Sequence, residues 1–339
     1  MSCPTPSFAL TSPRLGWAIE AVLRACQLTA RLQERMVACA VKGDLSPVTV
    51  ADYASQALIA HDLAFQEPEL ELVAEEDTAE LERSPGMAEA VARALEGWLP
   101  HSEPRLLRCL LERSRRHHPE GFWALDPLDG TKGFLRNAHF AVALAWVQDG
   151  QPQLGVLGCP RLKLARYPEP GVLAAASKDG GSWVRPLDGS QDWTRLQCHP
   201  CTNLSQARLL HSYEPSHTNL DEIGRLRSRL RLRERSIGID SQAKYVMLAA
   251  GEGDIIVRTL NENQPDYREK IWDHAAGQII LHEAGGQVTD LEGQPLDYRQ
   301  GRTLQSNRGL LASAAPELHR QLLAALSCSS PSGRFGPIT

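Results

Sequence analysis

Residues 123–133 read Trp-Ala-Leu-Asp-Pro-Leu-Asp-Gly-Thr-Lys-Gly. A short apolar run, 122–125, ends here in a turn holding two carboxylates three positions apart, Asp126 and Asp129. Pro127 fixes φ between them and stiffens the turn. Gly130 lets the backbone bend or approach a ligand closely. Two carboxylates about 4 Å apart repel by roughly 4 kcal/mol at an effective dielectric of about 20. Confined to one small volume they raise each other's pKa unless a cation neutralises them. Hard divalent cations take oxygen ligands, and Mg²⁺ joins a few carboxylates to substrate phosphates. The plainer alternative is an Asx-rich surface turn.

Three further segments put carboxylates at the end of a strand or the start of a helix. Residues 73–77, Val-Ala-Glu-Glu-Asp, run an apolar strand into Glu75 and its neighbours; alone they also fit a solvated acidic face. Asp52 closes Pro-Val-Thr-Val-Ala-Asp, residues 47–52, in the first turn of an expected helix, where an acid complements the helix dipole. Asp273, in Ile-Trp-Asp-His-Ala-Ala-Gly (271–277), opens another helix and also fits a plain N-cap. Each alternative stands singly, but four such sites in one chain favour a common purpose.

Outward from these segments, the apolar spacing predicts helices over 13–41, 49–65, 87–97, 103–113, 241–250, 273–284 and 316–326. Strands are expected at 70–74, 122–125, 140–147, 154–157, 172–175, 182–184, 193–196, 208–210, 254–259 and 287–289. Helices and strands arriving in blocks indicate an α/β (α+β) fold of layered sheets and helices. At roughly 150 residues per domain, 339 residues make about two parts, which we divide as 1–190 and 191–339.

Composition removes several classes of function. A hydrophobic share of 42% supplies a real core and excludes wholesale disorder. The longest purely apolar run, 140–147, is far short of the ~18 residues a membrane span needs. The N-terminus, with Pro4, Pro6 and Pro13, lacks the basic start and apolar stretch of a signal peptide. Eight scattered cysteines point to a reducing compartment, so a cytoplasmic location is expected, with an organelle left open. A net charge of −5 disfavours a nucleic-acid polymer as partner. The alternating arginines from Arg225 to Arg235 fit a charged strand or loop edge. Cys198-His199-Pro200-Cys201 lacks a second cysteine pair at zinc-finger spacing.

Read in order, Asp52, Glu75-Glu76, Asp126-Pro-Leu-Asp-Gly-Thr131 and Trp272-Asp273 resemble the pattern of a known superfamily. It is the Mg²⁺-dependent, lithium-sensitive phosphatase superfamily of inositol monophosphatases, fructose bisphosphatases and 3′(2′),5′-bisphosphate nucleotidases. The resemblance runs from about residue 42 to 290, and several stretches are similar to the bisphosphate nucleotidase branch: Ser46-Pro-Val-Thr49, Asp129-Gly-Thr-Lys-Gly-Phe134, Asp240-Ser-Gln-Ala-Lys-Tyr245 and Lys270–Gly277. Ala74 stands where that pattern usually has Gly.

The resemblance implies a layered α/β/α/β/α sandwich. It implies two or three Mg²⁺ ions held by Glu75, Asp126, Asp129, Asp273 and the main-chain oxygen of Leu128. Asp52 and Thr131 would orient and deprotonate the attacking water. Gly130, Thr131, Ser241, Lys244 and Arg258 would meet the substrate, the last three around the phosphate that is not cleaved, with His217 near the base. The implied reaction removes the 3′-phosphate of adenosine 3′,5′-bisphosphate, with 3′-phosphoadenylyl sulfate as a second substrate, within sulfur metabolism. The small-molecule partner is a nucleotide bisphosphate. The alternatives are an inositol phosphate or sugar bisphosphate phosphatase, and a non-catalytic Mg²⁺ or nucleotide sensor. Asp52 and Thr131 are both present, which favours activity.

Overall fold

The computed structural model describes residues 12–38, 47–69, 71–83, 86–99, 107, 111–112, 121–212, 220–234, 236–259 and 266–327. Proline at the first helical position has no N–H to leave unpaired, and the Ser12 carbonyl accepts from Leu15 and Gly16 N–H. The helix that starts there, α1, runs Pro13–Ala38. Leu15, Ala18, Val22 and Ala25 recur at helical spacing and are buried. α2, Pro47–Gln66, packs beside it through Ala54, Ala57 and Leu58.

These two helices cover one face of a seven-stranded sheet. Its strands lie in chain order: β1 Leu72–Ala74, β2 Gly121–Asp129, β3 Ala141–Gln148, β4 Gln151–Cys159, β5 Val172–Ser177, β6 Gly181–Pro186 and β7 Thr194–Arg195. β1 and β2 run parallel, and the later neighbours pair antiparallel. Side chains alternate between the faces of a strand. Trp123, Leu125, Leu144, Trp146 and Leu173 face α1 and α2. Phe122, Ala124, Ala143, Ala145 and Ala174 face the opposite way. Short helices α3, Thr78–Arg83, and α4, Met87–Ala94, follow β1, and α5, Thr131–Leu135, follows β2.

A second sheet has the order β11-β12-β10-β8-β9. Its strands are β8 Leu209–His211, β9 Ile237–Gly238, β10 Ile255–Arg258, β11 Gln287–Thr289 and β12 Leu310–Ser313. Between the sheets lie α7, Ala243–Ala249, and α8, Ala275–Glu283; Leu210, Ile256, Leu310 and Ala312 close on them from the second sheet. The outer face carries Leu209, Ile255 and Leu311 against α6, Leu220–Leu230, and α9, Pro316–Ser327. The layers are therefore α/β/α/β/α, as the resemblance implied.

Several elements differ from the sequence reading. Arg225, Arg227 and Arg229 lie on α6, not on a strand edge. Leu226 and Leu230, four residues apart, are both buried, so the helical period of the leucines prevails over the period-two spacing of the arginines. The sequence reading did not include β12, which sits inside the second sheet. The expected strand 193–196 contracts to the two residues of β7. The expected helix 103–113 falls outside the described residues except for 107 and 111–112. Cys26, Cys159, Cys198 and Cys201 are free thiols. No helix among the described residues is long and apolar enough to cross a membrane.

Two predictions follow from the packing. α8 approaches β4 so closely that a Cβ on Gly155 would lie 2.6 Å from Ile279 Cγ2 and 2.9 Å from the Ala276 backbone. Gly155→Ala is expected to lower the stability from urea unfolding by about 1–3 kcal/mol through overpacking, and an unchanged midpoint would contradict this contact. His319 is buried, with Thr289 Oγ1 and Ser313 Oγ each 2.9 Å from its ring nitrogens. Burial pushes its pKa down to about 4. Above pH ~6.5 folded and unfolded states both hold the neutral ring; between ~6.5 and ~4 the unfolded state alone binds the proton. Stability from this group is thus lost as the pH falls, by about 2 kcal/mol between pH 7 and 5. His319→Gln should flatten that slope in urea titrations at the two pH values, and an identical slope would refute the assignment.

Candidate functional site

Parallel pairing sets the first two acids side by side. Ala74 lies opposite Leu125, so the next residues of β1 and β2 are Glu75 and Asp126. Glu75 N–H donates to the Leu125 carbonyl at 3.2 Å. The register against β3 slips between Asp126 and Asp129. Pro127, with no N–H to pair, falls in that slip. Leu128 N–H donates to Asp126 Oδ1 at 3.2 Å, while the Leu128 side chain is buried with Ala51, Phe134 and Phe140. Gly130 takes φ 93°, and a Cβ there would meet Ser241 Cβ at 3.1 Å and the His139 carbonyl at 3.2 Å. Glycine is required twice over, for the turn and for the approach of the second half.

Polar residues buried in α2 clamp these strand ends. Ser55 Oγ donates to the Pro127 carbonyl at 2.7 Å. Gln56 donates to the Glu76 carbonyl at 2.8 Å and accepts from Glu76 N–H at 3.0 Å. Tyr53 donates to the Asp77 carbonyl at 2.6 Å. Asp52, also buried, stands beside this clamp, in the second turn of α2 and not the first. The sequence reading passed over Ser55 and Gln56; their signal was two polar residues among alanines on an otherwise apolar helix.

The second half reaches in through Gln242. Its N–H donates to Asp129 Oδ2 at 2.5 Å, its side chain donates to the Trp272 carbonyl at 2.9 Å, and it accepts from Gly277 N–H at 3.3 Å. One residue thus ties Asp129 to the turn bearing Asp273. His274, not Asp273, takes the N-cap position of α8. Arg302 lies over the Trp272 ring, 4.6 Å from its centroid, and donates to the Glu75 carbonyl at 2.9 Å.

Between the halves is a cavity of about 350 Å³. Glu75, Asp126, Leu128, Asp129, Gly130 and Thr131 line it from the first half; Ser241, Lys244, Arg258 and Asp273 line it from the second. Asp52 is not on the wall but lies close enough to raise the Asp126 pKa. His217 lies outside the described residues. Gln242, Tyr245, Lys270 and His274 also line the cavity and were not singled out from the sequence.

Burial pushes the Asp126 carboxyl well above its ordinary pKa, and Glu75, Asp129, Asp273 and Asp52 add to the shift. Burial, then Asp129, raises Glu75. Burial raises Asp273 too, with Arg258 opposing. Burial, then Glu76 and Glu75, raises Asp52. Such a set is relieved by a cation, and its hard oxygen donors fit a hard divalent one. Among the described residues, the trio whose ligand atoms all lie within 4.8 Å of one another is Glu269, Asp273 and His274. Glu269 and His274 already bond each other, Arg258 and Tyr245, so we look to the carboxylates across the cavity for ion binding. On the basic side, burial lowers the Lys244 pKa to about 8, and its Nζ donates to Ser212 Oγ and the Ile239 carbonyl. Burial alone would lower the Arg258 pKa, but Glu269 and Asp273 hold it up.

The chain is similar to known proteins over nearly its whole length. Residues 9–330 match the inositol monophosphatase family. A 3′(2′),5′-bisphosphate nucleotidase of Emericella nidulans is 37% identical over 325 residues, spanning 86% of this chain and 92% of that protein. Another, from Oryza sativa, is 37% identical over 338 residues, spanning 92% of each. In fold, the inositol monophosphatase from Anabaena (Nostoc) sp. PCC 7120 superposes with a TM-score of 0.61 at 22% identity, over 94% of this chain and 97% of that one. With nearly its whole length matched, the chain belongs to the inositol monophosphatase family.

Proposed function

We propose that this chain is a Mg²⁺-dependent phosphomonoesterase that hydrolyses the 3′-phosphate of adenosine 3′,5′-bisphosphate to AMP and phosphate. The observation that carries the reading is the polarity of one cavity. Mutually repelling carboxylates line it together with the basic residues Lys244 and Arg258 and with Ser241. A substrate with a phosphate at each end matches that polarity. The relatives named 3′(2′),5′-bisphosphate nucleotidase support the same substrate class.

In this reading Glu75, Asp126, Asp129, Asp273 and the Leu128 carbonyl hold two or three Mg²⁺ ions. Bound Mg²⁺ would neutralise the carboxylates and make water a better nucleophile. Thr131, at the start of α5, orients the attacking water, and its hydroxyl passes the proton to Asp52. A buried carboxylate whose pKa is raised binds a proton more readily than a free one. Gly130 leaves room for the departing phosphate. Arg258 and Lys244 grip the 5′-phosphate by charge-assisted hydrogen bonds, with Ser241 beside them. His217 is assigned to the base on resemblance alone. Lithium inhibition, turnover of 3′-phosphoadenylyl sulfate and a cytoplasmic location, which the free thiols favour, belong to the same reading.

Asp126→Asn is expected to cut Mg²⁺-dependent phosphate release by roughly a thousandfold, on the scale of losing a pre-organised charge-stabilising group. It also removes one of the repelling carboxylates. The variant's Tm without metal should rise, and the Tm gain on adding Mg²⁺ should shrink. Wild-type turnover with a wild-type Mg²⁺ response would refute the metal assignment. A substrate panel at fixed Mg²⁺ tests the rest. Adenosine 3′,5′-bisphosphate should exceed inositol 1-phosphate and fructose 1,6-bisphosphate in kcat/KM by roughly a hundredfold, about the worth of one or two charged hydrogen bonds. Preference for an inositol or sugar phosphate would replace the nucleotide reading.

A further inference from the structure

Arg258 stands at the end of β10 with two carboxylates competing for it, Glu269 and Asp273. Arginine is long and has several rotatable bonds, so charge alone does not fix where its guanidinium points. Glu269 Oε1 forms an ion pair with Arg258, 3.2 Å from its Nε. Its other oxygen, Oε2, lies 3.1 Å from His274 Nε2, and His274 Nδ1 lies 2.9 Å from the Tyr245 hydroxyl. A carboxylate only accepts, so His274 donates from Nε2. Nδ1 of a neutral ring then accepts from Tyr245 O–H. Each atom of this chain has one role, and its one charge, on Glu269, is balanced by Arg258.

The chain is anchored at both ends. Glu269, His274 and Tyr245 are 6%, 1% and 3% exposed. The Glu269 carbonyl accepts from Leu304 N–H at 2.9 Å. The Tyr245 ring lies so close to Gly277 that a Cβ there would be 2.2 Å from it.

We infer that Glu269, His274 and Tyr245 are positioning residues that hold Arg258 toward the uncleaved phosphate and keep it from collapsing onto Asp273, so that preference for a bisphosphate depends on this buried chain. The inference rests on the reading of Arg258 as a 5′-phosphate ligand. Loss of the chain should weaken the grip on that phosphate while leaving hydrolysis of a substrate that lacks it nearly untouched.

The test compares kcat and KM for adenosine 3′,5′-bisphosphate and adenosine 3′-monophosphate at fixed Mg²⁺, with thermal melts to confirm folding. Arg258→Gln is the reference and should erase the wild-type KM preference for the bisphosphate. Glu269→Gln is expected to raise the bisphosphate KM by about tenfold, with the monophosphate KM within about twofold. His274→Gln, whose amide can still donate to Glu269, should retain more of the preference than His274→Ala. Tyr245→Phe removes one hydroxyl and should raise the bisphosphate KM by about two- to threefold. If Glu269→Gln does not fold, Tyr245→Phe decides. Folded variants that keep the preference, or that slow both substrates alike, overturn the positioning role. An Arg258→Gln enzyme that keeps the preference overturns the 5′-phosphate reading itself.

Discussion

The mutual repulsion of buried carboxylates organises this molecule. Asp126 feels Glu75, Asp129, Asp273 and Asp52, all within one water-poor region. Left to themselves such groups would separate or take up protons. They stay together because the scaffold around them is over-determined. Glu75 and Asp126 are held by parallel pairing of β1 and β2, the Asp126–Asp129 turn by Pro127 and the buried Leu128, and Asp129 by Gln242. The charge concentration makes cation binding favourable, and the surrounding hydrogen bonds keep it in place without one.

The two sheets divide the work. The end of the first sheet supplies carboxylates together with Gly130 and Thr131. The second sheet and the helices between supply Ser241, Lys244 and Arg258, with Asp273 crossing to the acidic side. Beside the cavity the halves meet through Gln242 and Asp129, Arg302 and the Glu75 carbonyl, and Gly130 against Ser241. Each links a backbone or a carboxylate of one half to a side chain of the other.

Much of this was legible before any coordinates. The layered α/β order, the long helices and most strands of the first sheet follow from periodicities that burial imposes on a chain, and ten of the twelve residues assigned to the site line its cavity. What was not legible has physical causes. β12, Leu-Leu-Ala-Ser, is followed at once by Ala-Ala-Pro and the helix beyond, and only its pairing with both flanking strands marks it as a strand. The arginines of α6 alternate like a strand, while the helix is set by Leu226 and Leu230. Ser55, Gln56, Gln242 and Arg302 act through partners up to 227 positions away, and no local spacing encodes such a distance.

The sequence by itself determined which acids sit at strand ends and helix starts, because Pro127, Gly130 and the flanking apolar runs impose their local geometry wherever they occur. Only the tertiary structure decided that acids at positions 52, 75, 126, 129 and 273 share one low-dielectric volume. It also decided that Glu269, His274 and Tyr245 stand in line behind Arg258. Electrostatic coupling depends on separation in space and on the exclusion of water, and neither exists until the layers close.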